Sequence, residues 1–351
     1  MKLARTIIIG IALSLIMQSI LLLFLNDYYF SDKEVITYKP ITKMEKPINK
    51  YIEIKVPSGV KDIQTSFDGK YITYYTDKTL NVVATSTGQN AQVQLDTKSI
   101  KAIYKWLPDR NIIIIAETQV DKGRNIVKFF SYDVKNNIKR ETRDYMNDRD
   151  VYITAPNSTA DIIDIAFNVT NTITYPKISI NSSDSIIYRV DVALPIEKLA
   201  LATSHIGKIK VSNLHDEVIY EDLLNKKIYF GISKTPLTIK DVSAYSLIDV
   251  DKDSRIYVGK LENDKITAVY YGDIKASTES WKCYTFIKPV DQTAIFVSSK
   301  EKILACDTLK NTIKDLATEK ETKYDGTFVT INDKTIISLI NGDTILQTDI
   351  N

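Results

Sequence analysis

The chain has 351 residues, with 46 basic and 44 acidic side chains, a formal net charge of +2 and a hydrophobic share of 44%. Near balance without a block of like charge excludes an electrostatic footprint for nucleic acid, and the apolar content excludes wholesale disorder. Length alone leaves one large domain or two ordinary ones open.

The first stretch, "MKLARTIIIGIALSLIMQSILLLFLNDYYF", carries no charge between Arg5 and Asp27. At ~1.5 Å per residue it would make a helix of about 30 Å, the thickness of a bilayer core. Residues 6–26 therefore predict a transmembrane anchor. Lys2 and Arg5 place residues 1–5 in the cytoplasm by the positive-inside rule, and everything after the helix outside a cell membrane crossed once. A cleaved signal peptide is the competing reading. It would have an apolar region of about 7–15 residues ending in a small-residue site, which "LLLFLNDYYF" does not offer. Residues 27–49, with Pro40 and Pro47 among scattered charges, read as a spacer.

From residue 50 to residue 351 the pattern changes. Alternating runs such as "YIEIKV", "KYITYY", "NIIIIAE", "RIYVGKL" and "TIISLI" recur, rich in Ile, Val, Tyr and Thr. Helical periodicity is confined to "PIEKLALA" and "DEVIYEDLLNKK". The domain reads as all-β.

The runs also repeat. "SFDGKYITYY" (Ser66–Tyr75) has loose counterparts in "KWLPDRNIIIIAE" and "LIDVDKDSRIYVGKL", each an Asp-containing turn before an apolar strand. Asp133 and Asn137 in "VKFFSYDVKNNIKRET" align with Asp307 and Asn311 in "KILACDTLKNTIKDLA". Units start near Val60, Lys101, Ala160, His205, Ala244, Trp281 and Tyr324, most of them about 40 residues apart. A four-stranded propeller blade takes about 40–45. The last unit holds three strands, and residues 51–56 have no blade of their own. Set as the fourth strand of the last blade, they would close the ring and remove its open edges. The expectation is a six- or seven-bladed β-propeller, seven favoured, behind one transmembrane helix. The alternative is a two-domain β protein split near residue 157. With only 11 glycines, Asn and Asp are expected to fill the turns that need positive φ.

The stretch "SFDGKYITYYTDKTLNVVATSTGQ" (Ser66–Gln89) resembles the repeat of TolB-like propellers and of the N-terminal propeller of dipeptidyl peptidase IV. There, a Ser-x-Asp-Gly-Lys turn precedes a strand and a later turn ends in Thr-Gly. The peptidases add a hydrolase domain with a Gly-x-Ser-x-Gly elbow, a pentapeptide missing from this sequence. The resemblance therefore implies the propeller and not the activity.

Candidate chemistry is sparse. His205 and His215 lie near no nucleophile in sequence and read as turn histidines. Asp249, Asp251 and Asp253 alternate like the start of a calcium loop, but Ser254 stands where Gly is expected and Lys260 where a bidentate acid is needed. A solvated turn is the competing reading, and no other cofactor is indicated. Cys283 and Cys306 could form one bridge or remain two buried thiols. The innermost strands are expected in "SIKAIYKW", "GKIKV", "AYSLIDV" and "WKCYTF". They would put Lys101, Tyr104, Lys105, Lys208, Lys210, Tyr245 and Lys282 around a mildly basic, aromatic channel, although a one-residue slip reverses every facing. The expected function is a membrane-anchored, extracytoplasmic binding or scaffolding module with a protein or cell-envelope partner. The alternative is an enzyme or sensor whose channel takes a cell-wall sugar, a peptide or an anionic ligand.

Overall fold

The computed structural model describes residues 2–24, 52–144, 149–298 and 301–350. It divides into two units, Met1–Asn49 and Lys50–Asn351. In the first, Lys2–Phe24 is helical, and the expected spacer lies outside the described residues. Among the described residues no helix is long and apolar enough to cross a membrane. The expected single-pass anchor, with residues 1–5 in the cytoplasm and the propeller outside, is corrected accordingly.

The second unit is built from seven successive antiparallel blade sheets, with a two-stranded ribbon (Arg143–Asp144 with Arg149–Asp150) within the chain of blade 2. Their innermost strands are Gln64–Thr65, Ser99–Trp106, Asp161–Phe167, Ile206–Ser212, Tyr245–Val250, Ile295–Val297 and Thr327–Ile331, which define blades 1 to 7. Closure is as the sequence suggests. Ile54–Lys55 pairs with Thr344–Asp349, Ile54 opposite Ile345, as the outermost strand of blade 7. In blade 4 the ladder has three strands, and Leu237 N–H adds one bond to Ile228 O at 2.7 Å.

Seven separate apolar clusters hold the ring, one between each adjacent pair of blades. An open arc of seven blades would have only six such interfaces. The run "NIIIIAE" shows how the sequence achieves this. Ile113 and Ile115 point into the cluster shared with blade 1, while Ile114 and Ala116 point into that shared with blade 3. Strands between two neighbours bury both faces, so they read as continuous apolar runs. Val151 and Ile153 share one cluster with Ala160 and Ile162, so the chain does not divide at residue 157.

Other expectations are corrected. The two helical stretches are extended, with strands Glu197–Lys198 and Glu217–Asp222. Val218 and Tyr220 face blade 3 while Ile219 faces blade 5, a demand that only an extended chain meets. "WKCYTF" is not innermost: Lys282–Val290 is the outermost strand of blade 5. The true innermost strand of blade 6 has only three residues, too few to carry an alternating pattern. Asp133 and Asp307 do occupy the same kind of turn, closed by Asn137 at φ 53° and Asn311 at φ 52°. The turn sits in different places, after the third strand of blade 2 and after the second strand of blade 6. Of the fifteen described non-glycine residues with positive φ, ten are Asp or Asn, which explains how the fold manages with few glycines.

Candidate functional site at the mouth of the channel

The turn that follows each innermost strand supplies one wall of the site. In blade 1, Gly69 N–H bonds Ser66 O at 3.0 Å, and Gly69 takes φ +74°. The same bond recurs from Asn171 to Asn168 (2.9 Å), Ser254 to Asp251 (3.0 Å) and Glu301 to Ser298 (3.1 Å), with positive φ at each donor. Side chains brace these turns. Ser66 Oγ donates to Asp68 at 2.9 Å and accepts from Tyr71 N–H at 3.0 Å. Asp251 accepts from the N–H groups of Asp253 and Arg255, from Arg255 Nε at 2.8 Å and from Tyr257 OH at 3.1 Å.

Each turn also reaches its neighbour. Asn332 of blade 7 donates to Ser66 O of blade 1 at 3.2 Å, and Asn111 of blade 2 to Asp68 at 3.3 Å. Arg110 donates to Val169 O at 2.8 Å, Val169 N–H to Asn213 at 3.0 Å, and Leu214 N–H to Ser254 Oγ at 2.8 Å. Arg255 pairs with Glu301 of blade 6 at 2.6 Å. Polar turn residues that could have remained in water therefore lock adjacent blades together, which fixes the rim of the channel.

Inside this rim lies a cavity of about 570 Å³ to which all seven blades contribute. Its collar is apolar and aromatic: Phe67, Trp106, Phe167, Val211, Val250 and Val297. Trp106 is held by stacking on Tyr71 and by donating its indole N–H to Thr73 at 3.0 Å. Below the collar are Lys105, Lys210 and Asp249, and on the rim Asp109, Lys252 and Asp333.

The sequence-derived channel residues separate into two groups. Lys101, Lys105, Lys208 and Lys210 lie on the innermost strands of blades 2 and 4, and of these Lys105 and Lys210 line the cavity. The first two form cross-blade ion pairs, Lys101 with Asp161 at 2.7 Å and Lys105 with Asp164 at 2.5 Å, and Lys210 pairs with Asp249 at 2.6 Å. Burial pushes the Lys105 ammonium down despite Asp164, and pushes Lys208 down as well. At Lys210 Asp249 outweighs burial and holds the ammonium above its ordinary value. Bulges set these facings. The register shifts between Ser99 and Lys101, Ile162 and Asp164, Ile206 and Ile209, and Leu247 and Asp249. Each bulge re-aims the residues beyond it.

Tyr104, Tyr245 and Lys282 are not in the channel. Tyr104 is buried between blades 1 and 2, its hydroxyl donating to Asp62 O. Tyr245 is buried between blades 4 and 5, with its hydroxyl on Val242 O at 2.9 Å. The faces of an innermost strand look at the neighbouring blades, so a rigid ring goes into the interface while a lysine can bend its end toward the axis. Lys282 sits on the outermost strand, exposed.

The calcium-like aspartates are likewise dispersed. Asp249 pairs with Lys210 in the channel, Asp251 is engaged by Arg255 and Tyr257, and Asp253 meets Arg255 at 2.9 Å. Cation side chains occupy the place an ion would need, and among the described residues no three His, Cys, Asp or Glu side chains gather as a metal site. His205 and His215 stand at opposite ends of the Ile206–Ser212 strand. Cys283 and Cys306 are free thiols, the first exposed and the second half-buried. Phe67, Phe167, Asn213 and Asn332 were not legible as site residues. For the first three the signal is a turn former placed directly after an innermost strand, with a left-handed residue three positions later (Gly69, Asn171, Asp216); Asn332 has the turn former without the left-handed residue.

No family model matches the chain. Two solved structures share its fold. One is a chain in a crystal structure of a mitotic checkpoint complex, 12% identical, with a TM-score of 0.54 over 91% of this chain and 99% of that one. The other is the β-propeller domain of Cps50 (Swd1) from Myceliophteria thermophila, 9% identical, with a TM-score of 0.53 over 86% and 98%. The chain is a seven-bladed β-propeller. It is also similar to the guanine nucleotide-exchange factor SEC12 of Candida glabrata, 30% identical over 109 residues, 28% of this chain. It spans about a quarter of that relative's length, 24%.

Proposed function

We propose that this propeller is a non-catalytic binding module, and that the face carrying the turns after the innermost strands docks a partner protein. The observation that carries the reading is the channel mouth. Turns bonded across six of the seven blade junctions present an apolar collar around a cavity of about 570 Å³, with charged groups on its rim. An apolar pocket inside a polar rim is the usual anatomy of an interaction hot spot, and a preformed wall lowers the entropy cost of binding. Phe67 is the exposed member of the collar, 37% accessible in its turn. One chain of similar fold comes from a mitotic checkpoint complex, which supports a role in assembly. The resemblance of Ser66–Gln89 to TolB-like repeats is compatible with the same role.

An enzyme acting in the channel has less support. Asp161, Asp164 and Asp249 are each bound to a lysine, and Glu221 accepts from Lys208 N–H, Ser246 Oγ and Leu247 N–H. A general acid or base needs a free hydrogen-bonding direction toward its substrate. Exchange activity is not carried over from SEC12, given the short overlap.

Photo-crosslinking tests the reading. A probe replacing Phe67 is compared with one replacing Leu309, 97% exposed on a second-to-third-strand turn at the opposite face. The expected result is a discrete partner adduct from position 67 only, with co-purification of that partner reduced about tenfold or more by Phe67→Asp. Equal adducts from both positions, or none from position 67, would overturn it.

A further inference from the structure

Beneath the collar the channel holds more positive than negative charge. Lys177 of blade 3 lies within electrostatic reach of Lys105 of blade 2, Lys105 of Lys210 of blade 4, and Lys210 of Lys208, and both Lys177 and Lys208 lie within reach of Glu221; Asp164 and Asp249 are the other carboxylates near this chain of lysines. Four ammonium groups thus face three carboxylates.

Their partners are unequally distributed. Lys105 holds Asp164 and Lys210 holds Asp249. Glu221 is only 6% exposed, and its oxygens are taken up by neutral donors: Lys208 N–H at 2.9 Å, Ser246 Oγ at 3.0 Å and Leu247 N–H at 2.5 Å. That leaves two ammonium groups without a carboxylate in contact. Lys177 is 9% exposed, within the buried run Tyr175–Ile178, and its Nζ rests on the Gly207 carbonyl at 2.7 Å. Among the described residues the Lys208 ammonium forms no ion pair. Gly207, beside it, admits no side chain, since a Cβ there would stand 2.6 Å from Glu221 Oε2.

Burying an ammonium against a neutral acceptor costs several kcal/mol unless an anion arrives to share the site. Two such lysines near one carboxylate, linked through Lys105 and Lys210 to a cavity that those two lysines line, have the makings of an anion receptor. We propose that the channel below the collar binds a small phosphate- or polycarboxylate-bearing anion, held by the ammonium groups of Lys177 and Lys208 with Lys210 beside them. The flexible stems of Lys208 and Lys210 let both ends turn toward such a group, while Lys177 supplies a fixed donor from the blade 3 wall. This inference is independent of the protein-docking reading.

Isothermal titration of the 351-residue chain with pyrophosphate, and separately with citrate, tests it. At least one should bind with single-site stoichiometry, and the preference between them assigns the ligand as phosphoryl or carboxylate. Lys208→Gln should weaken binding about tenfold or more, the loss of one charge-assisted contact. Lys177→Met should abolish binding without lowering the thermal midpoint, because the methionine fills the same buried space. Lys288→Gln, on the exposed outermost strand of blade 5, should leave binding unchanged. Failure of both anions to bind, or equal losses in the Lys208 and Lys288 variants, would overturn the proposal.

Discussion

Ile54, which precedes blade 1 in sequence, lies directly opposite Ile345 of blade 7, and both side chains are at least 95% buried. The two ends of the propeller are thus joined by a strand pair and a shared apolar cluster that also contains Val56, Ile63 and Ile337. Closure replaces two exposed sheet edges with one more interface like the other six.

Ile54→Ala should therefore destabilise the whole ring by about 2–5 kcal/mol, the cost of a large-to-small change in a core. The urea midpoint should fall with little change in slope. If the slope drops as well, blades 1 and 7 have separated while the rest of the ring persists.

Gly69 and Gly88 make a matched pair. Their φ angles are +74° and +70°, but a Cβ on Gly69 would meet Thr335 Oγ1 at 3.2 Å and Asn332 Nδ2 at 3.3 Å, while nothing lies near Gly88. Gly88→Ala should cost about 1–2 kcal/mol, the price of a left-handed residue. Gly69→Ala should cost more, because Asn332 must also give up its bonds to Thr65 and Ser66. Denaturation midpoints of the two variants compare these costs directly.

Glu117 has a fully buried side chain and is paired with Lys139, whose ammonium also lies 4.3 Å from the Phe130 ring centre. Ser99 Oγ and Asp96 N–H donate to the same carboxylate. Glu117→Gln should destabilise by about 3–5 kcal/mol, since it leaves a cation half-buried without its partner. Adding Lys139→Met should recover much of that loss, which a double-mutant cycle would measure.

Asp68 links the best-defined turn to acid stability. Burial alone would raise its carboxyl, but hydrogen bonds from Lys70, Ser66 and Asn111 more than reverse this and hold it below its ordinary 3.8. A depressed folded-state value means the contribution is fully present above pH 3.8 and disappears as pH falls through the folded value. The stability difference between the parent chain and Asp68→Asn should therefore be constant near neutrality and shrink only below about pH 4. A difference that persists unchanged into strong acid would contradict this account.

The fold was largely legible because a propeller repeats a local signal. Unit starts placed by turns fall within a few residues of six of the seven innermost strands, three of the four stretches expected to be innermost are so, and the unpaired strand before Ser66 announced closure. The exceptions have physical causes. Ile295–Val297 is too short to show an alternating pattern, and the long outermost strand of blade 5 imitates an innermost one. Glu217–Asp222 looked helical because a strand with two buried faces spaces its apolar residues much as a short helix does.

The sequence by itself determined an all-β ring, its closure and the residue types at its turns, all of which follow from local propensity and alternation. The tertiary structure decided which side chains share the channel. Bulges in the innermost strands and the packing of each blade on two neighbours sent Tyr104 and Tyr245 into interfaces and left Lys105 and Lys210 lining the cavity. It also set the collar of Phe67, Trp106 and Phe167 around one mouth. Those residues come from three different blades, so their proximity depends on closing the ring, which no spacing along the chain records.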